Sequence, residues 1–442
     1  MPHHRRGLPV LVFLIALGTV PLASPPAASS AEPADWIGGE LEPLVEIYQE
    51  FHRNPELSFH EKETAARLAG HLEKAGYEVT RNVGGHGVVG VLKNGDGPTV
   101  MIRTDLDALP VEEKTGLPYA SKVVAKNDDG VMVPVMHACG HDIHITNQIG
   151  VARYMAANRD RWSGTLICIG QPAEERGAGA TAMLADGLFE KFPRPDFAIA
   201  LHVSSDMPTG FVGYIGGAAM ANVDSVDITM QGRGGHGSAP HLTIDPIAQA
   251  AALIVDLQQI VSRETSPLEP VVVTVGSIHG GTKHNIIADS CHLQLTVRTY
   301  GDESRQRVRD AIARKAKSIA ESHRAPEPEV RFGEGTPSLF NDERLVGRVV
   351  PVFRQALGEE KVVPVGRSMG GEDFGQYGRA GVPIFMYRLG SIDAKRLDAF
   401  ANRGATPPSL HSSLYYPDAA GALRTGVVTM SAALLELMPP GS

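Results

Sequence analysis

Apolar residues recur at helical spacing over residues 41–52, where Leu44, Ile47, Tyr48 and Phe51 share one face. Asn54-Pro55 ends that stretch, because a residue before proline is pushed out of the helical region. Residues 61–74 repeat the pattern and stop at Gly76, a glycine placed to cap a helix. Strand-like runs follow at 78–81 and 88–92, then an apolar run at 99–103 that fits a buried strand. A helix is expected over 145–157, a buried strand over 164–170, a helix ending at Gly187 and a strand over 197–202. Strands alternating with helices in this way predict an α/β architecture, a mostly parallel central sheet flanked by helices.

The pattern changes near Gly213. Residues 223–231 alternate like a strand with one solvent face, followed by the glycine-rich GRGGHGSAPH. Asp245-Pro246 opens a helix to residue 261, 271–278 and 291–299 read as strands, and 302–322 reads as a helix. The order βαββαβ predicts a ferredoxin-like α+β unit inserted in the larger domain. Helix 345–357, strand 383–387 and helix 419–437 then resume the first pattern. The expected division is residues 1–31 as a signal, 32–215 and 332–442 as two parts of a catalytic domain, and 216–331 as an inserted lid or dimerisation domain.

Residues 1–31 read as a secretory signal, with a basic start, an apolar stretch broken by Pro9 and Pro21, and small residues at 27–31. The protein is therefore expected to be secreted or periplasmic, starting near Ala31 or Glu32. Arg5-Arg6 keeps a twin-arginine route open. The apolar stretch is too short and interrupted for a stable membrane anchor.

With 442 residues, 43% hydrophobic and 21% charged, the chain has the composition of a globular protein of two or three domains. The net charge of −9 and the lack of a basic block argue against nucleic acid as a partner. Of the three cysteines, Cys168 and Cys291 sit in strand-like runs and read as buried thiols.

Cys139 has a different setting. The stretch VMHACGHDIHIT places His137, Cys139, His141, Asp142 and His144 within eight residues. Imidazole and thiolate suit zinc- and manganese-type ions. A polar loop capped onto a helix by His144 or Asp142 would account for one of these residues, and a metal site accounts for several. Asp105, Asp107, Glu174, Glu175 and His202 all fall at or just after the ends of expected strands, where α/β sheets collect their chemistry. Glu174 and Glu175 are adjacent, so one can ligate metal while the other faces substrate and carries a proton.

Seven motifs in order, RTDLDALP, HACGHD, QPAEE, LHV, HGSAPH, GGEDF and LHSS, carry a resemblance to the aminoacylase and carboxypeptidase family of dinuclear metallohydrolases. The chain is most similar to its amidohydrolase branch, which includes hippurate hydrolase and plant auxin–amino acid conjugate hydrolases. The resemblance implies two divalent ions per chain (zinc, manganese or cobalt). Cys139 is shared between them, His141 and His202 complete one, and Glu175 and His411 the other. It makes Glu174 the general base and Asp107 a carboxylate that orients a ligand imidazole, and it leaves Asp105 open between metal and backbone. His236 is implied to stabilise the carbonyl oxygen. Dimeric relatives supply this histidine to the partner's site and others act as monomers, so a homo-oligomer stays open. Asn285 and Arg298 match carboxylate-binding positions, and Gly370 and Gly371 would let the backbone approach substrate. Glu372 and Asp373 read equally as first-turn helix residues.

The expected activity is hydrolysis of N-acyl amino acids, small-molecule substrates, by a metal-activated water. A dipeptidase or carboxypeptidase on the same scaffold, a cysteine hydrolase built on Cys139, and a non-catalytic binding homologue are the competing readings.

Overall fold

In the computed structural model, His3, residues 32–333 and residues 335–441 are described. The expected signal at 1–31 thus lies outside the described residues apart from His3.

Helix α1 (Pro33–Arg53) starts on a proline at its first turn and buries Leu44, Tyr48 and Phe51, the face read from the sequence. Removing one such side chain from water contributes roughly 1.5–3 kcal/mol. Helix α2 (Lys62–Lys74) and strands β1 (Glu78–Val83), β2 (Gly87–Asn94) and β3 (Thr99–Asp105) follow. Next come α3 (His141–Ala157), β4 (Gly164–Gln171), β5 (Phe197–Pro208) and β6 (Val212–Tyr214). After the smaller sheet the chain returns through α6 (Glu343–Leu357), β11 (Val362–Pro364), β12 (Ile384–Ile392) and α7 (Ala419–Leu437). The smaller sheet is built from β7 (Asn222–Gln231), α4 (Pro246–Arg263), β8 (Val272–Gly280), β9 (Ser290–Thr299), α5 (Asp302–Ser322) and β10 (Glu329–Phe332).

The large sheet runs β1-β2-β4-β3-β5-β12-β6-β11. Its centre, β4-β3-β5-β12, is parallel, whereas β1, β2 and the β12–β6 pair are antiparallel. Helices cover both faces, so the central strands are near-continuous apolar runs. On one face Ile102, Ile199, Leu201 and Tyr387 pack with α1, α3 and α7. On the other Met101, Ala198, Ala200 and Met386 pack with Phe374 and Tyr377. Helix α7 is long and apolar enough to cross a membrane by composition, and 72% of that stretch is buried in the fold.

The smaller sheet runs β8-β9-β7-β10, all antiparallel, with α4 and α5 packed through its own core around Leu253, Leu293 and Ile312. This is the βαββαβ order read from the sequence.

Several elements run longer than the pattern shows. Strand β5 continues six residues past His202, and β12 reaches Ile392. Helix α3 begins at His141, so the metal-type stretch itself forms its first turn. Neither Asp142 nor His144 caps that helix. Gly140 occupies the cap in a left-handed conformation, φ 77°, and Asp142 bonds its own neighbour's amide, Ile143 N. Residues 121–135 form a hairpin pairing Val124–Lys126 with Met132–Pro134. Cys168 and Cys291 are buried free thiols, as expected.

Candidate metal centre

The carboxyl ends of β3, β4 and β5 converge with the start of α3 and the loop before α7. Three backbone features aim the side chains. Gly140 turns the chain between Cys139 and His141, and a Cβ there would come within 2.7 Å of Val203 Cγ2. Ala173, at φ 49°, swings the chain out of β4 so that Glu174 and Glu175 open a single turn of 3-10 helix. His411 takes φ 68°, with its amide donating to Ala138 O at 2.9 Å. Left-handed conformations at non-glycine residues cost of order 1–3 kcal/mol and persist where the surroundings impose them.

Two donor groups share Cys139. Cys139, His141 and His202 form one, and Cys139, Glu175 and His411 the other, with the ligand-type atoms of each group within 4.8 Å of one another. Cys139 Sγ lies 3.6 Å from His202 Nε2 and 3.3 Å from His411 Nε2. His411 Nε2 is 3.5 Å from Glu175 Oε1. His141 Nε2 faces Glu175 at 3.8 Å, Glu174 at 3.9 Å and Asp105 at 3.7 Å. These last separations are too long for hydrogen bonds and leave room for a cation between the atoms.

The hydrogen bonds behind the donors set the tautomers. His141 Nδ1 donates to Asp107 O at 2.8 Å, with Asp107 Oδ1 at 3.4 Å, so Nε2 is free to act as a ligand. His202 Nδ1 donates to Val203 O at 2.8 Å, which frees its Nε2 in the same way. His141 Nε2 and Glu175 Oε1 are buried and have no hydrogen-bond partner among the described residues. Buried polar atoms left in this state cost about 1–3 kcal/mol each. Two divalent cations, one in each donor group, would satisfy them, and thiol, imidazole and carboxylate are the donors that zinc, manganese and cobalt accept. The residues present therefore fit the implied pair of ions.

Electrostatics point the same way. Burial raises the Cys139 thiol well above its usual range, with the Glu175 charge adding to it. Burial pushes Glu175 up to about 7. Burial raises Glu174 well above the carboxylate range, aided by Glu372. Burial holds His202 well below the usual imidazole value. Without a cation the cluster resists thiolate and carboxylate charge, and a bound cation reverses that preference.

Asp105 and His144 serve each other. His144 Nδ1 donates to Asp105 Oδ1 at 2.7 Å, and His144 Nε2 accepts from Val203 N at 3.0 Å. Asp105 Oδ2 accepts from Arg103 Nη1 at 2.7 Å. Both oxygens of Asp105 accept hydrogen bonds, and both nitrogens of His144 are engaged, while Asp105, His141 and His144 also form a donor group within 4.8 Å.

The substrate-side residues lie apart. His236 is exposed on a two-residue strand paired with Ile286, its Nδ1 accepting from Ser238. Asn285 sits across the same pair, its carbonyl accepting from Gly237 N. Arg298, on β9, reaches Met369 O at 3.4 Å, next to Gly370. At Gly371 a Cβ would meet Val223 Cγ2 at 2.5 Å, so close packing in this structure already requires glycine there.

Several partners were not legible in the sequence. Glu372 and Asp373 are buried rather than first-turn surface residues. They accept from Arg103 Nη2 at 2.8 and 3.0 Å. Glu61 is buried beneath the glutamate turn and accepts from Ala173 N at 2.8 Å, which supports its left-handed kink. Its place in a charged helix start, EKE, reads as surface. His52 bridges Asp142 at 2.6 Å and Glu113 at 3.1 Å.

The sequence profile of Peptidase family M20/M25/M40 matches residues 101–402. The chain is 40% identical over 344 residues to the hippurate hydrolase of Campylobacter jejuni, covering 76% of this chain and 84% of that one. It is 38% identical over 335 residues to an N-acetyl-L-cysteine deacetylase of Bacillus subtilis, covering 76% and 77%. Its fold is similar to that of the Bacillus subtilis YXEP protein, described as a dinuclear metal binding peptidase from the M20 family. The TM-score is 0.73 and the identity 30%, over 91% of this chain and 99% of that one. The chain belongs to Peptidase family M20/M25/M40, on its amidohydrolase branch, and is a hydrolase of amide bonds.

Proposed function

We propose that this protein is an exported, metal-dependent amidohydrolase that splits N-acyl amino acids into a carboxylic acid and an amino acid. The observation that carries the reading is the pair of donor groups sharing Cys139. Cys139, His141 and His202 would hold one divalent ion, and Cys139, Glu175 and His411 the other. Such a pair supplies a water made acidic enough to attack an amide at neutral pH.

The chain's own residues do the rest. Glu174, buried with its carboxylate 3.9 Å from His141 Nε2, takes the proton of the attacking water and passes it to the leaving nitrogen. Burial and Glu372 raise its proton affinity toward that task. Asp107 holds the His141 ring through its carbonyl, which keeps the ligand nitrogen pointed inward. His236 meets the carbonyl oxygen from the loop of the smaller sheet, its own or a second chain's, and Asn285 and Arg298 lie on the same sheet or loop to meet the substrate carboxylate.

The test is hydrolysis of a panel of N-acyl amino acids and dipeptides, with zinc, manganese or cobalt added in turn. Cleavage of the N-acyl compounds in preference to dipeptides is expected. Exclusive cleavage of dipeptides would favour the peptidase reading, and activity that survives a chelator would favour a thiol enzyme.

A further inference from the structure

Glu61 occupies the capping position of α2, yet its side chain does not cap the helix. Glu56 does that instead, its Oε2 accepting from Thr64 N at 2.7 Å and its Oε1 from Glu63 N at 3.2 Å. The fully buried Glu61 carboxylate reaches the end of β4. Its Oε1 accepts from Ala173 N and from Phe59 N, both at 2.8 Å. Both donors are non-glycine residues in the left-handed region, with φ 49° at Ala173 and 64° at Phe59. One oxygen therefore ties together two strained points of the chain, and such conformations persist only where the surroundings impose them. Glu61 Oε2 has no hydrogen-bond partner among the described residues, so this hold runs through Oε1 alone.

The segment before α2 grips the same turn at other points. Ser58 Oγ donates to Asp107 Oδ2 at 2.6 Å, and that oxygen also accepts from Glu175 N at 3.0 Å. Ala108 N donates to Glu56 O at 2.8 Å, which fastens the segment to the loop after β3. Arg176, which follows the two glutamates, has its guanidinium carbon 5.6 Å from the centre of the Phe59 ring. Its Nη1 donates to Asp128 in the hairpin of residues 121–135. The turn over residues 173–176 is thus held at its entry by Glu61, in its middle by Asp107 and at its exit by Phe59 and Asp128. Glu174 and Glu175 both leave the backbone inside that turn. A change of φ at Ala173 would rotate the two carboxylates together.

We propose that Glu61 is a positioning residue for hydrolysis: its Oε1 fixes the turn that presents Glu174 to the attacking water and Glu175 to the ion it would share with Cys139 and His411. This rests on the roles proposed above for those two glutamates. The turn requires an acceptor at one place rather than a charge in the neighbourhood. Glutamine supplies that acceptor with its carbonyl oxygen, whereas aspartate keeps the charge but withdraws the oxygen by one carbon.

The experiment uses zinc-loaded full chain as wild type, Glu61→Gln, Glu61→Asp and the double variant Glu61→Asp/Ala173→Gly. It reads kcat and KM on an N-acetyl amino acid, zinc retention against a chelating dye, and Tm. Glu61→Asp is expected to lower kcat about 10–100-fold, to change KM less than about threefold, and to weaken zinc retention about tenfold or more. Glu61→Gln should stay within about fivefold of wild type in kcat and in zinc retention. Glycine takes a left-handed φ without support, so Ala173→Gly in the Glu61→Asp background should raise kcat at least about fivefold. A carboxylate with a merely structural role would move Tm alone. Wild-type kcat and zinc retention in Glu61→Asp overturn the proposal. So does a larger loss in Glu61→Gln than in Glu61→Asp, or a double variant no better than Glu61→Asp. Failure of the wild type to cleave any N-acyl amino acid counts against the amidohydrolase reading alone, and zinc retention across the four proteins still decides the proposal.

Discussion

The amide of His411 donates to the carbonyl of Ala138 at 2.9 Å, which stitches the loop before the last helix to the residue preceding Cys139. Two donors far apart in the chain are thereby held by backbone, independent of any ion. The left-handed φ of 68° at His411 fits this stitching, because the histidine must leave the loop at the angle the bond dictates.

Gly140 supports the same geometry from the other side. Gly140→Ala imposes a Cβ at φ 77° and within 2.7 Å of Val203 Cγ2. We expect a loss of about 1–3 kcal/mol in urea unfolding. A weaker hold on metal in competition with a chelating dye should accompany it, since Cys139 and His141 flank the strained residue.

The adjacent glutamates should separate cleanly. Glu174→Gln is expected to keep metal content and to lose roughly 10²–10⁴-fold in kcat. Glu175→Gln should lose metal, because Glu175 Oε1 lies 3.5 Å from His411 Nε2 within the donor group. Matching behaviour in metal analysis and turnover would refute the division of roles.

The site's chemistry was legible because catalysis concentrates rare residue types in short motifs. Cys139, His141, Glu174, Glu175, His202 and His411 could all be named before any coordinates were known, and the structure brings them together. The partners that hold them were not legible. Arg103 pairs with Glu372 and Asp373 across 269 and 270 positions, and no local pattern links them. Glu61 immediately precedes α2 in the charged run EKE, and His52 lies beside Arg53 at the end of α1, yet tertiary contacts bury both. Strand ends were underestimated for the same reason. Past His202 and Tyr387 the apolar run stops, but neighbouring strands continue the ladder.

Arg103 is the counter-charge for three buried carboxylates. Arg103→Met would leave Asp105, Glu372 and Asp373 without it, and removal of one partner from a buried pair costs about 3–5 kcal/mol. Urea unfolding should show a loss of this size, and Arg103→Lys should restore only part of it. A change under about 1 kcal/mol would mean that the carboxylates are neutral in the folded protein.

His52 gives the fold a definite pH dependence. Burial alone would lower its pKa, but the bonds to Asp142 and Glu113 outweigh burial and raise it from 6.5 to about 9. The folded state therefore holds a proton that the unfolded chain has lost between these values. This stabilisation is complete below about pH 6.5 and disappears as pH rises through about 9. Its size is on the order of 3 kcal/mol. Unfolding of wild type and His52→Gln should differ most near pH 6 and converge above pH 9, and a gap independent of pH would contradict the assignment.

In the proposed centre two divalent ions share Cys139. Metal analysis by mass spectrometry, on chelated protein reloaded stepwise while N-acyl amino acid hydrolysis is followed, tests it most directly. Full activity is expected at two divalent ions per chain, with a Cys139→Ser protein that fails to hold both. Full activity with one ion or none, or a Cys139→Ser protein that retains two at wild-type affinity, would contradict it.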